Sequence, residues 1–301
     1  LVVLVTVLTA CGGGGGGSSS ISYQGATAKA VINDAATATD LSEVAYYGSQ
    51  VDDIVPSVAS LQGGPQGSAT ATPAPVIQKL AQLVSELPGR EEFASTVTGI
   101  AAVSFSDPPE ECYVSGTATY SGTVNETTGA MKITARFSSC DDGEGYIANG
   151  SMTLDMDGDL TSLVVDLNQF SMEFVAEQEK ITIDGVVRAS VDEVAGTESL
   201  SMSLVMRDDL SGEMAKLEDY TVVVTDATYV EISGRVYSSE VGYVDLSTVQ
   251  TIELNIWGEP VAGIYRIDGD AGTWAEYDFS TALGTFGDTD GPKGTFNLTS
   301  D

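Results

Sequence analysis

Two cysteines and a set of acidic turns carry what chemistry the chain has to offer. The sequence contains no histidine among 301 residues. That excludes Ser-His-Asp and Cys-His catalysis, and with them a histidine-ligated zinc or haem site. Cys112 and Cys140 flank two alternating runs, Tyr113–Val124 and Ala130–Ser139, joined by the turn Asn125-Glu-Thr-Thr-Gly129. The midpoint of the two cysteines falls inside that turn. The pair is therefore expected to face across a hairpin and to form a disulfide, the alternative being two buried thiols. Asp155, Asp157 and Asp159 stand at alternate positions, the spacing of a calcium loop, with Asp166 where a twelfth-position ligand would sit. Calcium is the one cofactor this pattern points to. Leu160, however, occupies the place of the glycine such a loop needs, and the flanking alternation argues instead for a hairpin tip. Asp268-Gly-Asp270 and Asp288-Thr-Asp290-Gly291 are similar acidic turns.

The third cysteine reads differently. Cys11 follows an apolar run, Leu1–Val7, and the small pair Thr9-Ala10, and precedes Gly12–Gly17 and Ser18–Ser20. The run is too short for a bilayer core of about 30 Å and has the length of a signal-peptide apolar region. Leu8-Thr9-Ala10-Cys11 resembles a bacterial lipobox, whose cysteine is diacylated and becomes the mature N-terminus. Gly12–Ser20 is then expected to act as a flexible tether. The chain starts at Leu1 without Met or a basic leader, so residues are expected upstream.

Lys and Arg total 12 against 44 Asp and Glu, a net charge of −32. Such a surface repels nucleic acid and anionic headgroups, so attachment to a membrane is expected through acyl chains. Hydrophobic residues make up 42% of the chain, enough for a folded core. No G-x-x-x-x-G-K-[ST] or G-x-G-x-x-G opens a helix, so nothing points to a nucleotide.

The elements that would position these groups divide the chain as follows. Residues 1–11 read as signal segment and 12–22 as tether. Residues 23–62 hold a strand-like entry, Tyr23–Ile32, and short helices, one of them starting at Leu41 behind Asp40 and ending at Gly48. Residues 63–75 are a Gly/Pro linker, and 76–94 a helix ended by Pro88-Gly89. From 95 to 301 the period is two. Strands are expected over Val97–Phe105, Tyr113–Val124, Ala130–Ser139, Tyr146–Met156, Leu160–Val175, Lys180–Val191, Ser199–Val205, Tyr220–Val224, Tyr229–Tyr237, Tyr243–Ser247, Ile252–Trp257 and Ile264–Phe279. Short Asp/Gly connections imply antiparallel pairing. The expected fold is mainly β: a large curved antiparallel meander, half-barrel or sandwich-like, with a small N-terminal helical segment packed on it. Leu167-Asn-Gln-Phe-Ser and Ile181–Ser190 are matched about fifty residues on by Leu217-Glu-Asp-Tyr-Thr and Val230–Ser239. The shared central glycine marks a bend or bulge.

Tyr23-x-Gly25-x-Thr27-x-x-Ala30-x-Ile32, the Ile-x-Gly strands, and Val230–Tyr237 with Gly242–Thr248 resemble uncharacterised β-rich lipoproteins of Gram-negative bacteria. The resemblance implies β architecture and a place in the bacterial envelope, and it brings no activity with it. Gly12 after the lipidated cysteine fits export to the outer membrane, periplasmic or surface-facing. The function expected is a non-enzymatic anchored lipoprotein that binds an apolar ligand or an envelope protein, or plays a structural role. The alternative is a carboxylate-dependent glycan hydrolase, for which the 44 acids always provide some pair. Sugar binding would want aromatic platforms, and the two tryptophans, Trp257 and Trp274, read as core or girdle rather than as ligand-stacking rings.

Overall fold

The computed structural model describes residues 20–49, 103–125, 127–143, 145–159, 161–176, 178–192, 194–255 and 259–298. Cys11, most of the tether, the linker 63–75, the helix expected over 76–94 and Trp257 lie outside them. Within them one helix, α1 (Ala35–Ser49), precedes a run of strands. These are β1 (Val103–Ser106), β2 (Glu110–Glu111), β3 (Ser115–Val124), β4 (Met131–Asp141), β5 (Tyr146–Met156) and β6 (Ser162–Phe174). Then come β7 (Glu179–Asp192), β8 (Thr197–Asp208), β9 (Met214–Thr225), β10 (Tyr229–Ser238) and β11 (Gly242–Leu254). The last are β12 (Pro260–Asp268), β13 (Trp274–Asp278), β14 (Leu283–Asp288) and β15 (Gly291–Phe296). They pair in chain order, all antiparallel, in one 15-stranded sheet that does not close into a barrel; β2 shares the β3 edge with β1.

Alternation decides the faces. Leu163, Val165 and Leu167 on β6, Leu200, Met202 and Leu204 on β8, and Val222 and Val224 on β9 are buried on one face. The intervening Asp166, Ser203 and Thr221 belong to the other. α1 lies on the apolar face against β10, β12, β13 and β15, burying Ala38, Leu41 and Ala45. Two buried tyrosines hold it there: Tyr220 Oη donates to Ala45 O at 3.0 Å and Tyr265 Oη to Ser42 O at 3.2 Å. The helix starts earlier than Asp40. Asp34 caps it instead, its Oδ1 accepting the Thr37 N–H at 2.8 Å, and the helix runs past Gly48.

Bulges account for most other differences from the expected strands. β9 begins at Met214 rather than Tyr220 because Glu218 and Asp219 interrupt the alternation, Asp219 with φ 51°. Gln169 on β6 has φ 46° in the matching place. The fifty-residue likeness is thus a recurring bulge followed by a fully buried ring, Phe170 or Tyr220. β6 and β9 are separated by an odd number of strand steps and run in opposite directions, so it is no simple duplication along the sheet. β11 joins two expected strands into one. The run Ile264–Phe279 divides at a 3-10 turn, Asp270–Gly272, into β12 and β13.

Candidate functional site

Cys112 and Cys140 lie at disulfide distance, with Cα atoms 5.4 Å apart. They do not face each other in the β3–β4 ladder. Ser115 pairs with Asp141, so Cys112 lies beyond the strand, in a loop folded back between β2 and β3. That loop is held by Cys112 N–H to Gly116 O at 3.1 Å and Val114 N–H to Asp141 O at 2.8 Å.

The acidic triplet serves its hairpin. Asp155 is exposed on β5 and pairs with Lys132 at 3.2 Å. Asp157 accepts the Thr161 N–H and hydroxyl, both at 2.7 Å, and the Ser162 hydroxyl at 2.9 Å. Those hydrogen bonds, the Thr161 hydroxyl foremost, hold its carboxyl below the usual range. Asp159 is exposed in the turn and Asp166 sits on β6. Among the described residues the one group of three ligating atoms within 4.8 Å is Cys112, Cys140 and Asp142. Two of those are the paired sulfurs, and the Asp155, Asp157, Asp159 set is not gathered around a common point.

The polar face of β9–β13 carries an arrangement that sequence reading did not find. Lys216 lies over the Tyr237 ring at 4.7 Å, Arg235 over Tyr243 at 4.4 Å, and Arg266 over Trp274 at 5.1 Å. Each cation is also paired with acid. Lys216 meets Glu218 at 2.5 Å. Arg235 meets Glu218 at 3.2 Å and Asp245 at 2.9 Å. Arg266 meets Asp268 at 2.7 Å and Glu276 at 3.0 Å. Glu218 sits below its usual pKa, first through the Lys216 hydrogen bond and then through the Tyr237 hydroxyl. Burial pushes Asp245 up, but Lys29 and Arg235 outweigh it and hold the carboxyl low. The missed signal was the alternation itself: Lys216-x-Glu218, Arg235-x-Tyr237, Tyr243-x-Asp245 and Arg266-x-Asp268 put these groups on one face at period two. Trp274 is half-buried and donates its indole N–H to Asp288 O at 3.2 Å, so it is engaged structurally.

The N-terminal segment is strapped over the same face. Ile21 N–H donates to Asp184, a buried carboxylate on β7 that also accepts the Gln169 N–H of the β6 bulge at 2.6 Å. The Tyr23 ring packs edge-on to Tyr237 at 5.5 Å. Ala26 N–H reaches Ser239 O at 3.0 Å, and Lys29 pairs with Asp245 at 2.7 Å. Lys29 makes an isolated parallel bridge to Tyr243, so the expected strand entry is a strap rather than a sheet member. Ala30 and Ile32 then turn into the core. Replacing Asp184 by Asn removes one acceptor from two part-buried N–H groups and is expected to cost about 1–3 kcal/mol. Hydrogen exchange at Ile21 and Gln169 should accelerate while β12–β15 keep their protection; unchanged exchange at Ile21 would show that the strap is held elsewhere.

An open groove of about 420 Å³ lies farther along the polar face, lined by Thr225, Tyr229, Glu231, Gln250, Thr251 and Glu253. Among the described residues the carboxyl whose pKa is raised lies apart from it: burial alone pushes Glu198 up, and its ladder partners are Val191 and Val224 rather than a second carboxylate. Compared with known proteins, the chain matches no family model, no curated protein and no solved structure.

Proposed function

We propose that the chain is a non-enzymatic lipoprotein of the bacterial envelope, anchored through a diacylated Cys11, that presents the polar face of its sheet to a protein partner. The observation that carries this reading is the strap. Only Gly12–Ser19 separate Cys11 from Ser20, where the described body begins, and Ile21 is already fixed to Asp184 on β7. An anchor at Cys11 would therefore act directly on a folded sheet rather than through a separate domain. The polar lining of the groove favours a protein partner over an apolar ligand. The hydrolase alternative gains no support from Glu198, which lacks a facing acid in its ladder.

Replacing Cys11 by Ala is expected to move the protein from the membrane pellet to the soluble fraction. The wild-type N-terminal peptide should carry the mass of a diacylglyceryl group. A variant that still pellets would refute the anchor. Native mass spectrometry after mild extraction bears on the partner: a co-purifying lipid in place of a protein would return the apolar-ligand reading.

A further inference from the structure

We infer that the groove over β9–β11 receives the guanidinium or ammonium group of a basic side chain on the partner, with Tyr229 as its ring platform and Glu231 and Glu253 as its counter-charges. The inference rests on the reading that the partner is a protein, and it names the chemistry that protein must present.

The molecule itself shows what such a constellation holds. On the same face, Arg235 stacks on Tyr243 and bonds Asp245, an aromatic-x-acid pair on one strand, while Glu218 closes the other side. Arg266 repeats the arrangement with Trp274, Glu276 and Asp268. Tyr229-x-Glu231 on β10 has the spacing of Tyr243-x-Asp245, and Glu253 on β11 is the ladder partner of Tyr229. Ring and two carboxylates are present again, and among the described residues no Lys or Arg pairs with Glu231 or Glu253. The Tyr229 side is open, 44% exposed, and both glutamates are exposed. A planar guanidinium stacked on Tyr229 would have both carboxylates as acceptors, and the Gln250 amide oxygen and the Thr225 and Thr251 hydroxyls can accept its remaining donors. The overall charge of −32 would steer a basic segment toward the sheet before it docks.

The test is an NMR titration of the full chain in detergent with three probes: the N-acetyl methylamides of arginine, lysine and citrulline. Citrulline keeps the shape of arginine without its charge. The arginine probe is expected to shift the amides of Tyr229, Glu231, Gln250, Thr251 and Glu253, and citrulline to bind at least tenfold more weakly. Lysine binding as tightly as arginine would assign an ammonium-tolerant site, and binding more weakly a guanidinium-selective one; both support the proposal. Glu231→Gln with Glu253→Gln should weaken arginine at least tenfold, and Tyr229→Leu about threefold. These positions are exposed, and unchanged amide shifts in β3–β7 would verify the fold of each variant. Equal binding of citrulline, retained affinity in the double variant, or shifts spread evenly over the turns at Asp157, Asp226 and Asp278 would overturn the proposal, the last revealing attraction to bulk charge only. The titration needs no lipid on Cys11. A Cys11→Ala protein that still pellets refutes the anchor without touching the groove, and a silent titration refutes the groove without touching the anchor.

Discussion

A protein with both Cys112 and Cys140 replaced by alanine is expected to lose about 3.5 kcal/mol of stability, through the loop-closure entropy that a cross-link removes from the unfolded chain. The two residues are 28 apart in sequence, so the bond closes a loop of moderate length. The effect should concentrate at one edge of the sheet. β2 has only two residues, and the loop from Cys112 to Gly116 rests on few backbone hydrogen bonds. Without the link, that loop and β2 should exchange their amides fastest, whereas the ladder from β5 onward keeps its protection. Cys140 is 3% exposed, and alanine avoids burying a hydroxyl there. The control is wild-type protein under reductant, which should unfold at the same denaturant concentration as the double variant. Two titratable thiols in the unreduced protein, or an unchanged unfolding midpoint in the variant, would show that the bond does not form.

That pairing was legible because elimination and a hairpin turn both point to it, yet the symmetry of the turn puts the cysteines opposite each other in a ladder they do not share. Asn125 does cap the turn, its side chain accepting the N–H groups of Thr127 and Thr128, but Val124 faces Met131, which leaves Cys112 past the end of β3. Alternation located β5 and β10 almost residue for residue, since each keeps its apolar residues in phase through most of its length. It could not find β14 and β15, where the buried apolar side chains are reduced to one ring per strand. Phe286 lies over Gly294 and Phe296 over Gly284, each ring occupying the space a Cβ opposite would fill. Such Gly–Phe pairs build a sheet without an alternating pattern. The acidic triplet is ambiguous in sequence because carboxylates at alternate positions satisfy a calcium loop and a hairpin tip alike. The hydroxyls of Thr161 and Ser162 just downstream were the sign of the tip. The aromatic–cation–acid row was hidden for another reason. Lys29, Lys216, Arg235 and Asp245 come from the strap and three strands, and only register brings them together.

Gly150→Ala is expected to destabilise the protein by about 3 kcal/mol or more, combining left-handed strain of about 1–2 kcal/mol with a backbone collision. Gly150 has φ +94°, and a Cβ there would lie 2.1 Å from Gln169 O and 2.9 Å from Phe170 Cα. Those atoms belong to the β6 bulge, so relief requires the bulge to open. The bulge is what keeps the sheet two-faced. Met152 pairs with Leu167 on one side of it and Ala148 with Met172 on the other, all four buried. Asn168 and Gln169 together stand opposite the single Asp184 of β7, one extra residue that preserves this phase, and a one-residue slip would send the apolar residues on one side to the polar face. Phe170, fully buried and edge-on to Phe137 at 5.8 Å, would move with the bulge. Gly212→Ala separates the two contributions. Gly212 has φ +79°, and a Cβ there would meet nothing within 4 Å, so the variant should lose only the strain, about 1 kcal/mol. Equal losses at both sites in urea unfolding would mean that the close approach at Gly150 contributes nothing and that the β5–β6 register is held by side-chain packing alone. A larger loss at Gly150, or its failure to accumulate as folded protein while Gly212→Ala does, would assign the register to the bulge.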